Sequence, residues 1–93
     1  MSYNLKFKKE ALQEWHRLDN TVRKQFKNKL AEHILNPYVV ASKLSGHKDR
    51  YKIKLRNMGY RLVYEVRDSE LVVIVVAIGK RERNAVYNAA AKR

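Results

Sequence analysis

The chain has 93 residues, with 21 Lys plus Arg against 9 Asp plus Glu, a net charge of +12 and 45% hydrophobic residues. That length fits a single domain with a small core, and with only three glycines and one proline it is neither collagen-like nor a disordered linker. The absence of cysteine excludes disulfide scaffolds, thiolate zinc sites and cysteine nucleophiles.

The alternation Tyr3, Leu5, Phe7 predicts a first strand over 3–7 with one buried face. Ala11, Leu12, Trp15 and Leu18 recur at helical spacing, so 9–18 reads as an amphipathic helix with Trp15 in the core. Its start is poorly capped by Lys8. Asp19-Asn20 breaks the pattern and offers caps for a second helix, in which Val22, Phe26, Leu30 and Ile34 repeat every four residues. Asn36-Pro37 ends it, because proline disfavours helical geometry in the residue before it. The stretch 38–49 reads as a loop with a turn at Gly46.

The period then changes to two. Tyr51, Ile53 and Leu55 alternate with Lys52, Lys54 and Arg56; after Met58-Gly59, Tyr60, Leu62, Tyr64 and Val66 alternate with Arg61, Val63, Glu65 and Arg67. Asp68-Ser69 marks the next turn. The apolar run 71–78 predicts an interior strand covered on both faces, and it is far short of the ~20 residues of a membrane span. Lys80-Arg81-Glu82-Arg83 leads into a last helix over 84–92 with a small apolar face. The expected fold is α+β, one domain over 1–93 in the order β-α-α-β-β-β-α, with a mostly antiparallel sheet and helices packed on it.

A two-residue turn at Met58-Gly59 would pair Leu55 with Leu62, Ile53 with Tyr64 and Tyr51 with Val66, and would set Arg56 opposite Arg61. A one-residue slip would mix apolar and charged faces. The consequence is a cluster of Lys52, Lys54, Arg56 and Arg61 on one sheet surface. Like charges so close are destabilising, so they either splay into water or surround an anion; four cations with only Glu65 beside them favour a phosphate. The basic run at 80–83 lies at the sheet rim, where loops carry function. Tyr87, four residues after Arg83, is either an exposed ring for stacking on an unpaired base or a ring packed on the sheet edge.

The charge exceeds what solubility requires and points to a polyanionic partner, nucleic acid first. A membrane surface is disfavoured, since no helix couples a strong apolar face to a basic one with interfacial aromatics. An acidic protein partner is compatible with nucleic acid. The start of the chain has no signal-peptide core, which makes the cytoplasm the expected compartment. His16, His33 and His47 have no metal-ligand spacing, and no phosphate loop, dinucleotide fingerprint or nucleophile elbow occurs; neither metal nor cofactor is expected.

The stretches Tyr51-Lys-Ile-Lys-Leu-Arg, Gly59-Tyr-Arg-Leu-Val-Tyr and Val76-Ala-Ile-Gly-Lys-Arg-Glu-Arg-Asn-Ala-Val-Tyr closely resemble the RelE toxins of bacterial toxin–antitoxin pairs. So do 7–18 and the helix 22–35, and the resemblance covers nearly the whole chain. It implies a microbial-ribonuclease-like fold and a ribosome-dependent endoribonuclease that cuts the mRNA codon in the ribosomal A site, in contact with small-subunit rRNA. It implies catalytic roles for Lys52, Lys54, Arg61, Arg81 and Tyr87. Arg56, Lys80, Arg83, Lys43, Lys24 and Lys27 are the expected RNA or ribosome contacts. One departure is Ser45, where a basic residue often precedes the loop glycine. The implied partners are mRNA on the ribosome and a RelB-like antitoxin, with operator DNA reached only through the antitoxin complex. The alternatives are a ParE-like gyrase-inhibiting toxin and a non-catalytic nucleic-acid-binding module.

The chemistry is consistent with the endoribonuclease. In-line attack of a ribose 2′-hydroxyl builds charge on the phosphoryl oxygens, which fixed cations stabilise; Arg61 and Arg81 supply forked hydrogen bonds. A lysine crowded by cations has a lowered pKa, so Lys54 or Lys52 is the candidate base.

Overall fold

In the computed structural model, which describes residues 2–46, 49–82 and 84–93, the order is β1 (Asn4–Phe7), α1 (Lys9–Arg17), α2 (Asn20–His33), β2 (Arg50–Leu55), β3 (Tyr60–Arg67), β4 (Val72–Lys80) and α3 (Ala85–Ala91). One four-stranded sheet runs β1-β4-β3-β2. β1 is parallel to β4; the other two pairings are antiparallel. The expected element order and mostly antiparallel sheet are both present, with β1–β4 the one parallel pairing.

Local chemistry sets the helix ends. Lys8 makes no side-chain cap at α1, whereas Asp19 accepts a 2.9 Å hydrogen bond from the Val22 amide and satisfies one of the orphan donors at the start of α2. Val22, Phe26 and Leu30 are buried, and with Ala11 and Leu18 they pack on Ile53, Leu62, Tyr64, Val73 and Val75. Two expectations for α1 shift: Leu12 is exposed, and Trp15 is partly buried at the margin of this core, its ring 5.2 Å from that of Phe7. A second, smaller core lies on the opposite sheet face, where Val86 and Ala90 of α3 meet Val63, Val76 and Ala77.

β4 serves both cores by means of a bulge. Val63 pairs with Ala77 and Tyr64 with Val75, which leaves Val76 as an extra residue. An extra residue re-phases the alternation. Val73, Val75 and Ile78 therefore belong to the α1/α2 core, and Val76 and Ala77 to the α3 core. The same shift sets Gly79 against Val86 of α3 and directly across from Arg61.

The hairpin register differs from the expected one by two residues. Leu55 pairs with Tyr60, Lys54 with Arg61, Ile53 with Leu62 and Tyr51 with Tyr64. The turn has four residues, 56–59, closed by the Gly59 and Met58 amides, which both donate to the Leu55 carbonyl at 2.9 and 3.2 Å. Gly59 takes φ +68°, which a residue without Cβ adopts at little cost. Face matching excludes odd slips only, so an even slip leaves Tyr51, Ile53 and Leu55 buried and moves Arg56 off the ladder into the turn.

Candidate active site

Because Tyr51, Ile53 and Leu55 point into the α1/α2 core, Lys52 and Lys54 stand on the other face of β2. Lys54 lies directly opposite Arg61. The Arg81 amide donates to the Gly59 carbonyl at 2.7 Å, which pins the rim to the hairpin turn. Lys54, Arg56, Arg61 and Arg81 thus line one pocket of about 200 Å³ with Gly59 and Tyr60. Among the described residues, no carboxylate lines it. The Lys54 ammonium is held below the usual lysine value, chiefly by the charge of Lys52, then by partial desolvation and by Arg61, Arg56 and Arg81.

α3 backs one of these lining residues, Arg61. The Arg61 guanidinium lies over the Tyr87 ring, 5.2 Å from its centroid. Among the described residues, Arg61 Nε and Tyr87 Oη are both buried without a hydrogen-bond partner, two polar atoms held out of water and left unsatisfied there. α3 comes this close because Gly79 has no side chain: a Cβ there would stand 3.1 Å from Val86 Cγ2.

Seven residues make a marginal helix, and α3 is tied at its far end. Arg50 donates to the Ala90 carbonyl and to Glu65 Oε1. Arg93 donates to both Glu14 carboxylate oxygens, at 2.8 and 3.2 Å, and at 2.9 Å to the carbonyl of Val76, the bulged residue. Lys8 Nζ donates to the Arg93 carbonyl. Burying Val86 contributes roughly 1.5–3 kcal/mol by the usual area scale, so these charged bonds are a substantial share of what holds Tyr87 in place.

A family model described as the ParE toxin of type II toxin–antitoxin systems, parDE, matches residues 5–85. The mRNA interferase toxin RelE of Escherichia coli K12 is 54% identical over 93 residues, covering 100% of this chain and 98% of that protein. The chain belongs to the RelE family of toxins. A solved structure of E. coli RelE carrying two arginine-to-alanine changes, in the free state, matches with a TM-score of 0.93 at 52% identity, over 100% of this chain and 98% of that one. The same mutant in complex with a peptide of the antitoxin RelB matches with a TM-score of 0.85 at 52% identity and the same coverage.

The structure brings Lys52, Lys54, Arg61, Arg81 and Tyr87 to one rim of the sheet, with Arg56 beside them. Of the two readings of Tyr87, the packed ring is the one realised: the residue is half-buried against the α3 core and Arg61. Lys80 is exposed at the end of β4, paired with Tyr60. Lys43 is exposed and bridges to Tyr51 beside β2. Lys24 and Lys27 are exposed on α2 and do not line the hollows around the strand lysines. Arg83, like His47, lies outside the described residues. The basic run leads into the last helix as expected: Lys80 ends β4, Arg81 and Glu82 belong to the connection, and α3 begins at Ala85. Gly79 was missed by sequence reasoning, since a glycine ending an apolar run reads as a strand terminator rather than as a close approach. Lys29 and His33, which line a hollow beside β2 with Lys52, Lys54 and Arg56, were not singled out as surface contacts; their i, i+4 spacing beside the stripe Phe26-Leu30-Ile34 was the available signal.

Proposed function

We propose that this protein is the toxin of a type II toxin–antitoxin system and acts as a ribosome-dependent mRNA endoribonuclease that inhibits translation. The observation that carries the reading is the carboxylate-free convergence of Lys54, Arg56, Arg61 and Arg81 on one pocket, with Lys52 beside it.

The mechanism follows from these groups. Lys54, its pKa lowered by its neighbours, accepts the proton of the ribose 2′-hydroxyl. The 2′-oxygen attacks the adjacent phosphorus in line, forming a P–O2′ bond while the P–O5′ bond breaks. Arg61 and Arg81 bear the charge gathering on the phosphoryl oxygens and the departing 5′-oxygen. Tyr87 acts through Arg61: its ring fixes the plane of the guanidinium, whose unpaired Nε awaits an acceptor. The chain brings no strong general acid, so alignment of the mRNA by the ribosome supplies much of the rate. Free RNA is then a poor substrate.

The basic surface suits an acidic partner. A RelB-like antitoxin fills this role, as in the complex of the E. coli mutant with a RelB peptide, and operator DNA is contacted through the antitoxin complex. No helix among the described residues is long and apolar enough to cross a membrane, and action on translating ribosomes places the toxin in the cytoplasm.

Primer extension on a defined mRNA, with and without programmed ribosomes, tests the reading. Cuts confined to the A-site codon, dependent on ribosomes and lost in Arg81→Ala, are expected. Equal cutting of naked RNA would mean a free ribonuclease. No cutting together with blocked supercoiling would support the gyrase reading that the name of the matching family model raises.

A further inference from the structure

The catalytic reading leaves a second concavity unexplained. β2 is the outer strand of the sheet, and a groove of about 360 Å³ runs along it, lined by Lys29 and His33 of α2, Ser42 of the short 3-10 turn at Val40–Ser42, and Lys52, Lys54 and Arg56. It shares Lys54 and Arg56 with the catalytic pocket. No carboxylate is among its lining residues. Among the described residues, Lys29, Lys52, Lys54 and Arg56 form no ion pair. Four cations around one hollow repel one another, and a bound anion would offset that repulsion more fully than water and salt do.

His33 adds a group that a plain phosphate site does not need. Its Nδ1 lies 2.8 Å from Tyr64 Oη, and that hydroxyl donates to the Pro37 carbonyl, also at 2.8 Å. The single hydroxyl proton is thereby used, so the bond to His33 is donated by Nδ1–H. Burial holds the imidazole pKa below its ordinary value; Glu32 opposes this and Lys29 adds to it. The ring is therefore neutral at pH 7, and Nε2 carries a lone pair. Cations for a phosphate and an acceptor for a hydroxyl match a ribonucleotide, and the 2′-hydroxyl is what separates RNA from DNA.

We propose that this groove is a ribonucleotide subsite, in which Lys29 and Arg56 hold a phosphate and His33 Nε2 accepts a hydrogen bond from a ribose 2′-hydroxyl. RNA flanking the cleaved linkage then follows the outer edge of β2 into the catalytic pocket. The proposal rests on the endoribonuclease reading for what is cut, and it adds where the neighbouring RNA lies. That RNA is either the mRNA itself or ribosomal RNA beside it.

The test uses Lys29→Glu, His33→Phe and His33→Gln in the full chain, each checked for folding by urea unfolding. Steady-state cleavage on programmed ribosomes is expected to show KM raised about tenfold in Lys29→Glu with kcat within about twofold, and the salt slope of binding reduced by about one unit. His33→Phe should raise KM roughly fivefold, the worth of one hydrogen bond, and His33→Gln, which keeps an acceptor, should recover part of it. If the RNA is mRNA, one 2′-deoxy position beside the cleaved linkage costs the wild type the same factor and costs His33→Phe nothing more. If it is ribosomal RNA, no mRNA position does so, and Lys29→Glu weakens binding of the uncleaving Arg81→Ala protein to ribosomes without mRNA. Unchanged KM, ribosome affinity and salt slope in both Lys29→Glu and His33→Phe would overturn the proposal while leaving the catalytic reading intact. If the wild type fails to cut, the catalytic reading falls, and the ribosome-binding arm still decides whether the groove holds RNA.

Discussion

Gly79→Ala isolates the role of the close approach between α3 and the sheet. The added Cβ would stand 3.1 Å from Val86 Cγ2, where ordinary contacts run from 3.4 to 4 Å, so Val86 must retreat by a few tenths of an ångström. Val86 is 5% exposed and is one of two buried residues in α3, so the helix moves with it. Mild overpacking costs about 1 kcal/mol. Replacing glycine by alanine in a strand returns roughly 0.5–1 kcal/mol through the unfolded chain. Net stability should therefore change little, with a urea midpoint close to that of the parent. Activity should not be spared, because the displaced helix carries the ring that holds Arg61. If a displacement of 1 Å costs about a hundredfold, a few tenths correspond to a loss of roughly four- to tenfold. Single-turnover cleavage on saturating programmed ribosomes reads this directly. A parental rate at parental stability would refute the claim that α3 positions Arg61, and gross unfolding would refute the claim that Val86 can yield.

The remaining predictions concern charge. Lys54→Ala should lower single-turnover cleavage by about 10²- to 10⁴-fold, the usual worth of a positioned base. A base works only when unprotonated, so the wild-type rate should rise with pH to an inflection below the ordinary lysine value, since neighbouring cations lower the pKa of Lys54, Lys52 most of all. Lys52→Ala should move that inflection upward and slow cleavage at neutral pH; an unmoved pH profile would remove Lys52 from this role. Burial alone would raise the Glu65 pKa, but hydrogen bonds from Arg67 and Arg50 outweigh it and hold the carboxyl below its ordinary value. The stabilisation is then present above the unfolded carboxylate pKa and is lost as pH falls through the folded one, so Glu65→Gln should cost about 1 kcal/mol at pH 7 and progressively less in acid by urea unfolding. Arg93→Ala removes the Val76 carbonyl's bond and both guanidinium bonds to Glu14, leaving that carboxylate only the Ile78 amide among the described residues, and should cost about 1–3 kcal/mol. Hydrogen exchange should show α3 opening before the sheet, and unchanged protection of α3 would refute its being tied there.

The strands that carry the site were legible because polar and apolar residues alternate in 51–56 and, Val63 apart, in 60–67, and that alternation placed Lys52, Lys54 and Arg61 on one surface. It could not fix the register, since a slip of two residues preserves every face; the turn chemistry at 56–59 decided it. The run Val72–Ile78 hid more. Where every residue is apolar there is no period to read, so the bulge at Val76, and with it the assignment of Gly79 to the face of α3, had no signal in the pattern. Arg81 and Tyr87 stood out in the sequence as part of a basic rim and as a candidate stacking ring, and the family resemblance gave them catalytic roles. Their meeting with Arg61 depends on tertiary approach, which local spacing does not encode. Asp19 was legible as a cap because its chemistry is local. Leu12 was assigned to the core from spacing alone, yet helical periodicity does not say how wide a stripe the neighbouring layer will cover.

The sheet places its last strand in the interior, between the first strand and the third. During synthesis, residues 4–7 wait with no parallel partner until 72–75 have been made, and β3 likewise lacks one neighbour. Arg81 and Tyr87 follow later still. A product truncated before β4 lacks Arg81 and Tyr87 and cannot bring them to Lys54 and Arg61, so a toxin of this topology completes that rim only once nearly the whole polypeptide has left the ribosome that made it.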